Sequence, residues 1–343
     1  GALLTLLSSF GQTFFISIFA AEIQYSFDLS HGSWGGIYAL GTTASAVVMV
    51  WAGGLTDKLR VRTLGPTVLL LLALACLFMA FNPYAVLLPL VIFALRLFGQ
   101  GMTSHIAIVA MARWFSAARG RALSISALGF SAGQAILPII FVLLLEHMGW
   151  RLLWVIAACI AILGIPLLKG LLRKERTPQS MANENPSFGM DGRYWKRFEA
   201  LRHPLFWCMV PTVLGPSAFN TAFFFHQVHF AELKGITHIA LVAQFPLYTA
   251  VSVGAMLLSG WGLDKLGTPR LLPFIQVPMI AAFIIFALGS GTLTITLGFI
   301  MLGITAGAGT TLPGAFWAEF YGTKFIGSIK ALATAAMVLG SAI

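Results

Sequence analysis

GGLTDKL at residues 53–59 returns as GWGLDKL at residues 260–266, so a glycine, an Asp-Lys pair and a leucine repeat at an offset of 207 residues. The same offset carries Gly120 onto Gly327. Both copies of the motif lie between long apolar stretches. The chain is therefore predicted to contain two parallel copies of one unit.

The composition is that of a membrane protein. Hydrophobic residues make up 58% of the 343 residues and charged residues only 9%, whereas soluble domains carry roughly 25% charged residues. The apolar stretches are long enough for helices of about 20 residues and too continuous for barrel strands. Cys76, Cys159 and Cys208 form no pair with metal or disulfide spacing, so we expect inert thiols.

The apolar stretches predict an all-α membrane protein with eleven spans. Their ranges are 2–24, 33–55, 64–81, 84–111, 121–145, 152–172, 204–231, 238–263, 270–288, 292–318 and 325–343. Six spans precede the polar linker 173–203 and five follow it, so the repeat predicts two six-helix bundles, with a twelfth helix absent from this chain. The expected domains are the N-terminal bundle 1–172, the linker 173–203 and the C-terminal bundle 204–343. Two parallel membrane repeats joined by one polar linker are typical of solute transporters.

The basic residues predict the orientation of the chain. Of the 21 Lys and Arg residues, 18 lie on alternate loops, while Arg151 and Lys234 lie on the opposite loops and Arg96 lies within a span. The positive-inside rule then places the linker and the N-terminus in the cytoplasm. We expect a plasma membrane location, the bacterial inner membrane, with the basic linker against anionic lipid headgroups and no nucleic-acid partner.

The loop after the second span resembles a motif of the major facilitator superfamily. The motif has the form G-x-x-x-D-[RK]-x-G-x-[RK], and its conserved positions are occupied here by Gly53, Asp57, Lys58 and Arg62. Arg60 stands where the family usually has glycine. The resemblance implies a gate on the cytoplasmic side, with the residues Asp57, Lys58, Arg62, Asp264 and Lys265. The alternative is that these charges only set topology.

Two further stretches resemble the monocarboxylate and oxalate/formate-like branch of that family. They are Arg113-Trp-Phe before Arg119, and Glu319 with Tyr321 before the eleventh span. The resemblance implies transport of a small organic anion, a monocarboxylate moved together with a proton. We expect a protein that functions as a monomer without a cofactor. An exporter of amphipathic, drug-like compounds is the second hypothesis, and a solute receptor that does not transport is the third.

Arg96 is the leading candidate for solute binding. It lies near the middle of the fourth span, where a charge costs at least about 2.5–3.5 kcal/mol, and its planar fork suits a carboxylate. Helical spacing places Gln100 and Thr103 on the same stripe. The alternative is a structural arginine bound to backbone carbonyls. Gly303 takes the position of Arg96 in the second copy, so the predicted site is asymmetric.

Other polar residues at depth complete the predicted site. Gln12, Asn220 and Gln227 are expected to line the cavity. Glu22 corresponds to His229 in the second copy, and a contact with His226 or His229 would form an outer gate that titrates near neutral pH. The alternative is that these groups reach headgroups. No further ligand cluster accompanies the histidines, so no metal site is predicted.

An enzyme is not expected. Residues 129–133 read G-x-S-x-G, which in hydrolases requires a strand-to-helix turn, but here they lie within an apolar stretch. No H-E-x-x-H or G-x-x-x-x-G-K sequence occurs, so neither a zinc protease nor an ATP-driven pump is predicted.

Overall fold

The fold is all-helical over the residues that the structure describes. The computed structural model describes residues 1–173, 187–225, 227–237, 240–241 and 243–340, and side chains at 225 and 227–229 lie outside the description. Every element in these ranges is a helix. The predicted class is therefore confirmed.

The helices follow the predicted order, and we number the spans accordingly. Their bounds are Ala2–Gly11 with Thr13–Ser26, His31–Lys58, Val61–Phe81, Ala85–Trp114, Arg119–Leu145, Trp150–Leu171, Pro204–Phe225 with Gln227–Leu233, Phe245–Leu266, Thr268–Leu288, Thr292–Tyr321 and Ile326–Gly340. Among the described residues, eight helices are long and apolar enough to cross a membrane, and the bent first pair makes a ninth. Two further apolar helices, Pro204–Phe225 and Ile326–Gly340, stand at the predicted seventh and eleventh positions.

The outer surface of the bundle is apolar, as a lipid environment requires. Large side chains such as Leu74 on the third span, Leu163 and Leu167 on the sixth and Ile280 on the ninth are exposed. Because lipid tails are as apolar as leucine, exposing these faces costs nothing in a bilayer, and the helices associate through close packing instead.

Each half has an aromatic core of its own. Before the linker, Phe15 packs edge-on against Phe141 at 4.8 Å and against Trp154 at 5.4 Å between ring centroids. After the linker, Phe223 stacks on Phe286 at 4.9 Å. These edge-to-face and stacked pairs fix the helices of each half against one another.

The first span breaks in its middle. Gln12 has extended backbone angles (φ −85°, ψ 153°), and the two pieces of the span meet at 47°. Facing this break, the fourth span widens into a π-helix over Arg96–Thr103. Gly11 and Gly99 bring the two irregular segments together, since a Cβ on Gly99 would lie 2.5 Å from the Gly11 Cα. Irregular backbone at membrane depth is tolerated only where it is packed in protein or borders a water-filled cavity.

Gly11→Ala is expected to destabilise the protein by about 1–3 kcal/mol, because the new methyl group would overlap the Leu95 carbonyl oxygen and lie 2.6 Å from the Gly99 Cα. Thermal unfolding in detergent measures the change. Gly35→Ala is the matched control, since its Cβ meets no atom within 4 Å. An unchanged unfolding temperature in Gly11→Ala would show that the break does not depend on this contact.

The G-x-S-x-G sequence lies inside a continuous helix. Residues 129–133 belong to the fifth span, Arg119–Leu145, and no strand occurs in the described ranges. Gly129 packs on the Ala2 carbonyl and Gly133 on the Ser9 hydroxyl. The two glycines therefore allow close approach of the first and fifth spans, and the geometry of a hydrolase nucleophile is missing here.

The two halves meet at the end of the bundle where the chain enters and leaves residues 173–203, which we call the linker end. There Val109, Ala112 and Leu123 from the first half share an apolar cluster with residues of the second, including Leu312 and Phe316. This contact brings both copies of the repeated Asp-Lys motif to the interface between the halves.

Candidate functional site

Asp57 joins the end of the second span to the start of the eleventh. Its carboxylate accepts hydrogen bonds from the Gly327 amide (2.8 Å), the Ser328 amide (2.8 Å) and the Ser328 hydroxyl (2.7 Å). The first amides of a helix have no partner within the helix and carry the positive end of its dipole. Asp57 therefore caps a helix of the other half, and its side chain is only 8% exposed.

Arg113 completes this cap from the end of the fourth span. Its Nη2 lies 2.6 Å from the Asp57 carboxylate, Nη1 donates to the Thr56 carbonyl (2.9 Å) and Nε donates to the Thr323 carbonyl (3.0 Å). A buried ion pair is stable only when the remaining donors and acceptors are also satisfied, and here each nitrogen of the guanidinium has a partner. Asp57, Arg113, Thr323, Gly327 and Ser328 together form what we call the first latch.

Asp264 forms the second latch at the pseudo-equivalent place. It accepts from the Gly120 amide (2.7 Å), the Arg121 amide (3.2 Å) and the Arg121 Nε (3.1 Å), and so caps the fifth span. Each repeated aspartate thus caps a helix of the opposite half. The second latch is weaker, because the Arg121 side chain is 65% exposed and the position of Arg113 is taken by Phe320 in the second copy.

The last part of the linker supports the first latch. The Thr323 amide donates to the Ser187 carbonyl (3.1 Å), while the Thr323 carbonyl accepts from Arg113. The Trp195 amide donates to the Tyr321 carbonyl (3.1 Å), and Arg119 donates to the Ser187 hydroxyl (3.3 Å). The backbone of Thr323 is therefore bound to the linker through its amide and to the first half through its carbonyl.

The other predicted gate residues lie close to the latches. Lys58 and Arg62 are exposed at the linker end, and the Lys265 ammonium lies 4.3 Å from the Trp261 ring centroid on its own helix. Their part in gating stays a prediction. The hydrogen bonds and ion pairs of the two latches, which join residues 1–173 to residues 204–340, all lie at the linker end.

The predicted outer gate lies partly outside the description. Glu22 is exposed, on the half of the first span that lies away from the linker end. His226 is outside the described residues, and the side chain of His229 is outside them as well. A contact between Glu22 and these histidines stays a prediction. In the part of the chain that the structure describes, no three His, Cys, Asp or Glu side chains lie close enough together to bind a metal ion.

Arg96 points at the break in the first span. Its Nη1 donates to the Thr13 hydroxyl (3.0 Å) and to the Gly11 carbonyl (3.3 Å), and the side chain is buried, with 2% of the residue exposed. Both hydrogen bonds come from Nη1, so the Nε–Nη2 edge has no partner among the described residues. No carboxylate of the described chain lies within ion-pair distance of Arg96.

The predicted polar stripe on the fourth span is changed by the π-helix. The wider i→i+5 turn rotates later positions out of the α-helical register. Thr103 is fully buried and donates to the Phe98 carbonyl (2.6 Å), whereas Gln100 is half-buried. The role of both residues in binding stays a prediction. Thr103, seven residues after Arg96, is rotated away from the predicted stripe by the wider helix, whereas Gln100 stays about one turn from Arg96.

The remaining predicted cavity residues lie on the first and seventh spans. Gln12 forms the break itself and is 8% exposed. Asn220 is half-buried, and its Oδ1 has no hydrogen bond. The side chain of Gln227 lies outside the description.

The sequence did not reveal three residues that the structure brings to these sites. Thr13 and Tyr38 surround Arg96, and Arg113 pairs with Asp57. For Arg113 a signal exists, since Phe320 replaces it in the second copy just as Gly303 replaces Arg96. For Thr13 and Tyr38 no such signal exists, because their contact depends on the break at Gln12.

The described residues form an all-helical bundle whose two repeats are latched across their interface at one end. The Major Facilitator Superfamily model matches residues 1–343, so the chain belongs to this family, and this membership indicates a membrane transporter rather than an enzyme. No curated protein sequence matches the chain.

Solved structures show the same fold. The human organic anion transporter MFSD10 (TETRAN) matches with a TM-score of 0.72 and 15% identity over 99% of this chain and 91% of that one. The proton:xylose symporter XylE, bound to 6-bromo-6-deoxy-D-glucose, matches with a TM-score of 0.69 and 15% identity over 99% and 85% of the two chains. A double-tryptophan variant of XylE matches with a TM-score of 0.71 and 16% identity, again over 99% and 85%. At these identities the likeness shows the fold alone.

Proposed function

We propose that this protein transports a small organic anion, a monocarboxylate moved together with a proton, by alternating access. One observation carries the proposal: Arg96 is buried at membrane depth, has no carboxylate partner among the described residues, and keeps its Nε–Nη2 edge unpaired. Arginine does not lose its proton, so the charge persists. The Nε–Nη2 edge can donate two parallel hydrogen bonds to the two oxygens of a carboxylate.

The second half favours a solute with one charged group. Gly303 takes the sequence position of Arg96 in the second copy, so no second arginine is supplied there, and the seventh and eighth spans carry aromatic rings, with Phe224 and Tyr248 at 5.7 Å between centroids. Asn220 lies one turn away from Phe224 and retains an unpaired amide oxygen. A solute with a carboxylate at one end and an apolar body at the other would match this asymmetry.

The distribution of basic residues supports an orientation with the linker end and the N-terminus in the cytoplasm. In that orientation the two latches would close the cytoplasmic side, as the proposed cycle requires of an outward-facing state. The protein is proposed to act as a monomer in the plasma membrane, the inner membrane of a bacterium.

The latches supply the cytoplasmic gate of the proposed cycle. Solute binds near Arg96 from the outside, residues 1–172 and 204–343 rotate against each other, and the bonds of Asp57 and Asp264 to the opposite half break. Glu22 closes the outer side in the same movement. The helix amides released from both aspartates become accessible to water, which limits the cost of opening.

The names of the structural neighbours agree with the proposal that this protein is a solute transporter, but they do not identify its solute. One neighbour is described as an organic anion transporter and another as a proton:xylose symporter. The anion in this proposal rests on Arg96 instead.

Counterflow in proteoliposomes tests the proposal. Vesicles loaded with unlabelled acetate, lactate or benzoate are diluted into the same labelled compound, and a second set is loaded with the amphipathic cation tetraphenylphosphonium. We expect saturable counterflow of at least one carboxylate. Counterflow of the cation alone would support the exporter, and saturable binding without counterflow of either would support the receptor.

A further inference from the structure

Arg96 is covered on the side of the second span by Tyr38. The Arg96 guanidinium carbon lies 5.5 Å from the centroid of the Tyr38 ring. The Tyr38 hydroxyl donates to the Thr13 hydroxyl oxygen at 2.9 Å, and this oxygen also accepts from Arg96 Nη1 at 3.0 Å. Three spans therefore meet at one oxygen atom. Arg96 is buried although Thr13 itself is exposed.

We propose that Tyr38 is a lid on the anion site, and that it must swing away before a carboxylate can pair with the Nε–Nη2 edge of Arg96. The carboxylate in this inference rests on the proposed function, whereas the lid itself does not. In the closed position the ring face gives Arg96 a cation–π partner and keeps water from the guanidinium. Thr13 holds the lid through the shared hydroxyl oxygen.

Thr13 has a second part in the site. A hydroxyl oxygen has two acceptor positions and one proton, and both acceptor positions are used here by Tyr38 and Arg96. The proton of Thr13 donates to no acceptor among the described residues. When Tyr38 leaves, a carboxylate held by Arg96 can also accept a hydrogen bond from Thr13.

The lid predicts a preference for charged over neutral solutes. A carboxylate gains a charge-assisted, two-point contact with Arg96 that exceeds the lost cation–π contact, whereas a neutral amide or alcohol of the same shape gains less. Tyr38 is therefore a positioning residue that decides which solutes reach Arg96.

Modification of arginine by phenylglyoxal tests the lid without knowledge of the solute. The full chain in lipid vesicles is treated with the reagent, and the rate at each arginine is read by peptide mass spectrometry. We expect Arg96 to react at least tenfold faster in Tyr38→Ala than in the protein with its native sequence. Tyr38→Phe, which removes only the tether, and Thr13→Val, which removes the tether and one acceptor of Arg96, are expected to raise the rate severalfold.

Controls in the same chain separate the lid from general loosening. Arg113 in the first latch is the internal reference, and its rate is expected to stay constant. Tyr25→Ala, which changes an exposed tyrosine of the same half, is expected to leave Arg96 protected. Equal rates at Arg96 in all folded Tyr38 and Thr13 variants, or a parallel rise at Arg113, would overturn the lid.

Protection by carboxylates separates the lid from the proposed function. Acetate or benzoate is expected to slow the modification of Arg96 at lower concentrations in Tyr38→Ala than in the protein with its native sequence. If Tyr38 controls the rate but no carboxylate protects, the lid stands and the anion assignment fails. If carboxylates protect equally well in both proteins, the anion assignment stands and the lid fails.

Discussion

Asp57→Asn is expected to open the linker end in a large share of the molecules. The substitution removes the charge that pairs with Arg113, whose side chain is 2% exposed, and it weakens the cap on the eleventh span. Breaking a buried ion pair by removing one partner costs about 3–5 kcal/mol. Because Arg113 has access to water in the open state, this cost destabilises the closed state only. A cost of about 3 kcal/mol already shifts the closed-to-open ratio about a hundredfold toward the open state.

Distance measurement between spin labels at positions 60 and 270 follows this opening, because Arg60 and Arg270 are exposed at the linker end of the two halves. The three native cysteines are first replaced by alanine. We expect a longer main distance in Asp57→Asn. Asp264→Asn is the matched control, and its exposed partner Arg121 implies a shift of at most about tenfold. Equal distance distributions in Asp57→Asn and the parent would show that the first latch does not hold the closed state.

Arg96→Lys is expected to weaken the apparent affinity for the transported carboxylate about tenfold to a hundredfold. Lysine keeps the positive charge but replaces the planar fork by a point charge, so the two-point contact is lost. One hydrogen bond to a charged group contributes about 1.5–3 kcal/mol, which corresponds to this range. The concentration dependence of uptake into proteoliposomes measures the change.

Arg151→Lys is the control for this substitution. Arg151 donates to the carbonyls of Ala80 (3.0 Å) and Asn82 (2.8 Å) at the end of the third span, so its role is structural. We expect unchanged solute affinity in that variant. If Arg96→Lys also keeps its affinity and only lowers the unfolding temperature, then Arg96 serves the Gly11 carbonyl and is a structural arginine as well.

The helices and their order could be predicted from the sequence because the signals are local. Apolar stretches of sufficient length predict spans, and Ile326–Gly340 lies within the predicted 325–343. The repeat also pointed to Asp57 and Asp264 as equivalent residues. What it did not provide was their partners: the amides of Gly327 and Gly120 become partners only when the two halves meet at the linker end.

The surroundings of Arg96 could not be predicted, because they depend on two irregular segments that touch. Periodicity assumes 3.6 residues per turn, and the π-helix at Arg96–Thr103 departs from this spacing. No proline near Gln12 signals the break in the sequence. The break lies where Gly11 packs closely against Gly99 of another span. Thr13 therefore reaches Arg96 from another span, and Thr103 leaves the stripe that the sequence predicted.

The internal pH of proteoliposomes during addition of an external monocarboxylate tests the proposed function most directly. The parent protein is compared with Arg96→Gln and with protein-free vesicles over a series of concentrations. Proton-coupled anion transport predicts acidification above the protein-free rate that saturates with one carboxylate and disappears in Arg96→Gln. Acidification that matches protein-free vesicles for every carboxylate, or that is unchanged in Arg96→Gln, would contradict it.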